Sequence, residues 1–476
     1  MTNMPYIELL SGGAKGDYTP HCFFIRAGID ADLLTVGVPF SQDALATYAH
    51  EYVHMLHNAS TYSGLHLLVA NLWLLRSLPH ATDADGHFRG QDFLDEQRRN
   101  LVHLSCEWTH SLLGAVSWKP GPSAPENVAT WKFSNTTSRA LHLPAPLDHV
   151  VDLVNVIGTA VQADGTGHEF SIDVGYQLIS EGVAYEVEKE IRRCNAPVGA
   201  LLDQGIPPYP YLTFGELLDH WVGRPTTAAE RIDLGVYALL TTSPAKALFE
   251  LSTALRGYLG ADRGHRMPYP LVETLIQTFR ADAMSFFSRM VQPEVEVLGQ
   301  SAAVKDAARE LCSLFQTGLA IRAKDPVLEH RIAGSHSRES FLGCLATLLD
   351  CCVIQSKASG LGEFRWIGPG LLAASQTSVE NLVRLQSAMH FAQRHIIRYG
   401  LVSTRELERT HKGHHRCPFS GACAVERDED YPLECASQPW NRYLGAKPSQ
   451  PVCWYAAGVK ALGRARHPYY ESLWLR

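Results

Sequence analysis

The chain has 476 residues, is 46% hydrophobic and 19% charged, and so can bury substantial cores, which excludes an intrinsically disordered polymer. Its formal charge of −7 offers no general attraction to phosphate backbones and sets nucleic acid aside as a partner. The opening Met1-Thr-Asn-Met-Pro5 has neither the basic stretch nor the apolar segment of a secretion signal, and the most apolar early run, residues 65–75, is too short to span a bilayer, so the expectation is a cytoplasmic protein with no membrane partner.

Short extended segments at residues 21–26 and 34–40 open the chain, the second a candidate edge strand. Helical periodicity begins at Ser41, a fitting N-cap with Asp43 in the first turn. The spacing predicts helices over residues 41–57, 64–78 and 91–118. Prolines with Ser, Asn and Thr clusters mark residues 119–146 as a long surface loop or inserted arm. A helix near 147–162 follows, Gly165-Thr-Gly-His-Glu-Phe-Ser-Ile-Asp173 breaks the pattern, and a strong helix covers 174–194. Residues 197–225, rich in Pro, Gly and Tyr, read as a domain boundary. Helical spacing then recurs at 228–240, 244–259, 269–291, 302–323, 337–356 and 378–399. The expectation is a mainly α chain with a small N-terminal β-sheet, organised as residues 1–200, a helical domain over 201–400, and a Cys/His-rich C-terminal module over 401–476.

The motif His50-Glu-Tyr-Val-His54 carries the chemistry. Side chains four apart lie on one helical face, so two imidazoles can grip a single ion while Glu51 faces water that the metal acidifies, as general base. Leu45, Tyr48, Ala49, Tyr52 and Leu56 form the packing stripe on the other side of the same helix. A catalytic zinc needs a third protein ligand, and Glu181, in Ser180-Glu-Gly-Val-Ala-Tyr185 on the strong downstream helix, is the candidate. Tyr185 and Glu188 share its face.

An HExxH helix followed by a later helix bearing Glu-Gly-x-Ala resembles the gluzincin group of zinc metallopeptidases, over roughly residues 20–195. The resemblance implies a zincin-like domain, a peptide or protein substrate, His50, His54 and Glu181 as zinc ligands and Glu51 as general base. It also implies a strand edge, assigned to residues 34–40, that pairs with substrate backbone. Some gluzincins carry an acidic residue four positions after the ligand Glu, where this chain has Tyr185, so the orienting partner is unassigned. His57 does not extend the motif to the metzincin form, because Ser60 stands where that group needs its third His, and His57 is read as a cleft residue or an ordinary helix-end His. Tyr185 is the candidate second catalytic residue, and Tyr185 and His168 are the candidates for an oxyanion donor.

Two other readings stay open. His103, Glu107 and His110 share one helical face and make, with Glu51 and His54, half of the ligand set of a di-iron oxygenase, while two His and one carboxylate also suit a mononuclear non-haem iron hydroxylase. Alternatively the enzyme-like site is inert and the tail docks a protein partner. Eleven cysteines in a chain read as cytoplasmic point to thiols or metal ligands before disulfides. In the tail, Cys417, Cys423, Cys435 and Cys453, with His411, His414 and His415 nearby, can hold a second zinc or an iron–sulfur cluster. Cys344, Cys351 and Cys352 read as small core residues of an apolar helix.

Overall fold

The computed structural model of the chain describes residues 16–27, 32–35, 37–83, 87–119, 125, 128–143, 149–194, 202–258, 269–298, 305–355, 362–369, 376–397, 401–410, 417–420, 422–423, 433–441 and 453–464. Two short strands, β1 (Gly16–Tyr18) and β2 (Phe24–Ala27), precede α1 (Gln42–Ser60), α2 (Tyr62–Ser77) and α3 (Glu96–Leu113). Strands β3 (Ala115–Lys119), β4 (Val128–Leu143), β5 (His149–Gln162) and β6 (Gly167–Val174) follow. Then come α4 (Tyr176–Arg193), α5 (Thr213–Val222), α6 (Ala228–Leu239), α7 (Pro244–Tyr258), α8 (Tyr269–Phe286), α9 (Gln292–Leu298), α10 (Lys305–Lys324), α11 (Glu329–Ala333) and α12 (Arg338–Leu345). Strands β7 (Cys351–Gln355) and β8 (Glu363–Ile367), and helices α13 (Gln376–Phe391), α14 (Thr404–Thr410), α15 (Leu433–Ser437) and α16 (Trp454–Arg464), complete the described order. Among the described residues the protein is mainly helical with two four-stranded sheets, one of which holds the N-terminal strands. Among the described residues no helix is long and apolar enough to cross a membrane.

The first sheet has the order β1-β2-β7-β8. β1 is antiparallel to β2, β7 is antiparallel to β8, and β2 runs parallel to β7 with Phe24 opposite Cys352 and Arg26 opposite Ile354. Residues far apart in the chain thus share one sheet, and α1 packs between it and α4. Ser41 caps α1 as expected, its hydroxyl accepting the Ala44 N–H at 3.1 Å. The apolar stripe of Leu45, Tyr48, Ala49, Tyr52 and Leu56 is fully buried, and so is most of the opposite face, which makes α1 a core helix.

The expectations for residues 91–173 are corrected by the second sheet, an antiparallel array in the order β3-β6-β5-β4. The third helix stops at Leu113, because Gly114 adopts φ 77°, a backbone conformation that favours glycine. The segment read as a surface loop is mostly β4, and the segment read as a helix is β5, the two paired from Val128 opposite Gln162 to Leu143 opposite His149. β5 is rich in Val and Ile and so apolar on both faces that period alone does not separate strand from helix; its β-branched content decides. β4 hides from an apolar-pattern search because it is Thr- and Ser-rich and exposed along most of its length.

Two smaller corrections follow. Residues 337–356 are not one helix: α12 ends at Leu345, and Cys351 and Cys352 lie on the buried strand β7, while Cys344 sits at the end of α12. Residues 34–40 are not a strand. Their described part is bends, a turn and irregular chain, and Arg338 Nη1 donates to the carbonyls of Thr35 at 2.7 Å and Val38 at 3.0 Å, holding the segment by single contacts instead of a ladder. β1 is the strand at that end of the first sheet.

Candidate metal centre

α1 and α4 lie side by side and bring their motif residues together. Gly182 makes the approach of α5 to α4 possible, since a Cβ there would stand 2.1 Å from the Phe214 ring. His50 Nε2 and His54 Nε2 are 3.1 Å apart, and each lies close to Glu181 Oε2, at 3.3 and 3.2 Å. Among the described residues this is the one group of three His, Cys, Asp or Glu ligand atoms all within 4.8 Å of one another. The side chains keep 8%, 12% and 9% of their surface, so the site is nearly dry yet reachable.

The partners on the far side of each ring explain why these atoms suit a cation. His50 Nδ1 stands 2.8 Å from Glu188 Oε2, and Arg192 grips the other oxygen of Glu188 while also reaching Asp43. His54 Nδ1 stands 2.9 Å from Ser180 Oγ, which lies 2.8 Å from His57 Nδ1. His57 Nε2 faces Glu329 at 3.2 Å, and Glu329 is held at both oxygens by Arg322, at 2.7 Å each. A proton on His57 Nε2 toward the carboxylate leaves its Nδ1 an acceptor, so the Ser180 hydroxyl donates to His57 and accepts from His54 Nδ1–H. Burial lowers the pKa of His57 despite Glu329 and keeps the ring neutral, as this arrangement requires.

In the form a metal takes, with a proton on each Nδ1 and none on Nε2, both Nε2 atoms would turn lone pairs toward each other and toward a carboxylate. Three electron-rich atoms at 3.1 to 3.3 Å repel unless a cation or proton sits among them. A tetrahedral ion with bonds of about 2.0–2.1 Å spaces its donors ~3.3–3.4 Å apart, so the donor set fits a metal. The electrostatics agree. Burial opposes the ionised form of Glu181, but His54 and His50 outweigh it and hold the carboxyl well below the usual range. Burial likewise opposes charging His50, and Glu181, Glu188 and Glu51 outweigh it and push its pKa well up.

Two groups border the triad. Glu51 is buried beside His50, and Gly16 of β1 packs on it so closely that a Cβ at Gly16 would lie 2.2 Å from Glu51 Oε1. Tyr211, in the turn Pro208–Leu212 before α5, stacks edge-on against His50 at 5.8 Å between ring centroids and hydrogen-bonds Glu181. The Glu181 charge, with burial, Glu51 and Glu188 behind it, pushes the Tyr211 phenol well up, so it stays a donor. Tyr18 of β1 stacks on His54 at 6.4 Å.

The chain matches no known protein family, no curated protein and no solved structure.

His50, Glu51, His54 and Glu181, singled out from sequence, therefore meet. Tyr185 lies behind Tyr211, 5.5 Å between rings, and donates its hydroxyl to Asp203. His168 sits at the far end of β6, six residues before Val174, ~20 Å along the strand. His103 and Glu107 are exposed and His110 half-buried on α3, none contributing to the group. His57 is fully buried in the Ser180–Glu329 chain. Cys417, Cys423, Cys435 and Cys453 supply no atom to the triad, and His411, His414 and His415 lie outside the described residues. Sequence reasoning missed Ser180, Glu329, Arg322 and Tyr211 as site residues. Glu188 was legible only as a face-mate of Glu181, whereas Tyr211 sits in a Pro-Tyr-Pro-Tyr run with no spacing signal.

Proposed function

We propose that the chain is a zinc-dependent peptidase with a zincin-like domain, similar to the gluzincins, cleaving a peptide or protein amide bond. The observation that carries this reading is the meeting of His50 Nε2, His54 Nε2 and Glu181 Oε2 within 4.8 Å, with a carboxylate and a phenol beside them that are not ligands of the group. Zinc held by His50, His54 and Glu181 supplies positive charge that polarises a scissile carbonyl and acidifies water. Glu51 takes the proton from the attacking water and returns it to the leaving amide nitrogen. Tyr211 donates its O–H to the oxygen on which charge develops. Glu188 and Ser180 hold the two imidazoles with Nε2 forward. Among the described residues β1 ends its sheet beside Glu51, where an extended peptide adding as a further strand would have its backbone across the base.

Oxygen chemistry on the same donor set needs open positions on iron but no base and no phenol donor, so Glu51 and Tyr211 favour hydrolysis. The test is elemental analysis together with cleavage of a peptide library by wild type and Glu51→Gln. The expected result is zinc in both proteins and a loss of cleavage of about 10²–10⁴-fold in the variant. Unchanged cleavage, or wild-type protein carrying iron at this site, overturns the reading.

A further inference from the structure

Asn58 stands one helical turn past His54 on α1 and is not one of the three candidate ligands. His50, His54 and Asn58 are spaced i, i+4 and i+8, so one face of the helix carries both imidazoles and the amide. Asn58 is completely buried, and its amide is committed to the turn that joins β1 to β2. Its Oδ1 accepts the Tyr18 hydroxyl at 2.8 Å and the His21 main-chain N–H, and its Nδ2 lies 2.8 Å from His21 Nε2. The His21 ring is pinned from two more sides, by the Gly64 carbonyl 3.1 Å from Nε2 and by Asn71 Nδ2 at 2.7 Å from Nδ1. The Cys22 N–H closes the turn onto Thr19 O at 3.0 Å, and Arg394 Nε donates to the Thr19 hydroxyl at 2.9 Å.

Two features make this holding necessary. The turn is strained: His21 and Phe23, neither of them glycine, adopt φ 61° and 51°, a left-handed conformation that residues with a Cβ keep only where their surroundings over-determine it. β1 is three residues long and, among the described residues, pairs on one side only, so its own ladder gives it few bonds against fraying. What β1 carries makes its position matter, because Gly16 packs against Glu51 and the Tyr18 ring lies over His54 with the two planes 15° apart.

We propose that Asn58 is a positioning residue. By clamping Tyr18 and His21 it holds β1 in the place where, under the peptidase reading on which this inference rests, the substrate backbone adds as a further strand. Asn58 acts through β1 and not on the reacting atoms. Without its amide oxygen, Tyr18 and His21 lose a shared acceptor in a place that bulk water does not reach, and the turn relaxes toward unstrained backbone. β1 must then be ordered anew each time a substrate strand pairs with it, which weakens binding. Substrate that has paired meets the same base and the same ligand set, so KM rises while kcat holds.

The experiment is a double-mutant cycle of Tyr18→Phe and Asn58→Ala in the full-length, zinc-loaded protein. It is read by kcat and KM on the best-cleaved library peptide, with zinc content and urea unfolding measured beside them. Asn58→Ala should raise KM about 10-fold and Tyr18→Phe about 3-fold, with kcat within about 3-fold of wild type and zinc content unchanged. The double variant should be no worse than Asn58→Ala alone, because the hydroxyl has already lost its partner. A purely structural role lowers unfolding stability and leaves the KM of the folded enzyme alone, and that result overturns the proposal, as do additive effects on KM or a fall in kcat at constant KM. Tyr18→Phe removes only the hydroxyl and keeps the ring over His54, so where Asn58→Ala does not fold, Tyr18→Phe with wild-type KM overturns it. Zinc-loaded wild type that cleaves no peptide overturns the peptidase reading and this inference with it, whereas wild type that cleaves while both variants keep its KM overturns this inference alone.

Discussion

Ser180→Ala removes one oxygen on which two imidazoles depend. Ser180 is 1% exposed, so bulk water does not replace the hydroxyl that accepts from His54 Nδ1 at 2.9 Å and meets His57 Nδ1 at 2.8 Å. Leaving a buried polar group without its partner costs about 1–3 kcal/mol, and two groups lose theirs, so the stability loss expected is about 2–6 kcal/mol. The effect on the metal is separable. Without the hydroxyl nothing fixes the His54 proton on Nδ1, and losing such an outer hydrogen bond typically weakens metal affinity about 10–100-fold, or roughly 1.4–2.8 kcal/mol. The assay is zinc competition against a chromophoric chelator on wild type and Ser180→Ala, at a temperature where circular dichroism shows both folded. Folded Ser180→Ala that binds zinc as tightly as wild type would refute the claim that Ser180 orients His54.

Under the proposed peptidase reading, Tyr211→Phe should lower kcat by about 10²–10³-fold with a smaller change in KM and unchanged zinc content, because the donor it loses is the one assigned to the developing charge; steady-state kinetics on the best library peptide reads this. Gly16→Ala places a Cβ 2.2 Å from Glu51 Oε1 and must displace this proposed base, so the proposed activity should fall on the order of 10²-fold while zinc content stays, and a fully active variant would show that Glu51 needs no such fit. Glu329→Gln should cost about 3–5 kcal/mol by stranding the buried Arg322 charge, measured by urea unfolding at neutral pH. Arg322 and His57 outweigh burial and depress the folded pKa of Glu329. Its contribution is therefore present above the unfolded carboxylate value of about 4.3 and lost as pH falls below it. Acid unfolding of Glu329→Gln should accordingly be shallower than that of wild type.

Much of the candidate ligand set could be read from the chain because it obeys local rules. His50 and His54 share a face whatever surrounds them, since the helix repeat dictates it, and the Ser41 cap and the buried stripe of α1 follow from the same local periodicity. Glu181 emerged as a carboxylate on another well-patterned helix, although its distance from the imidazoles was not in the sequence. What only the tertiary structure decided lies across long chain separations. The parallel pairing of β2 with β7, the β4–β5 hairpin, and the chain from His54 through Ser180 and His57 to Glu329 join residues that no local period relates. The physical reason is that helix geometry is written in backbone bonds within a few residues, whereas sheet partners, buried charge pairs and the approach of Tyr211 to Glu181 are settled by which surfaces exclude water together.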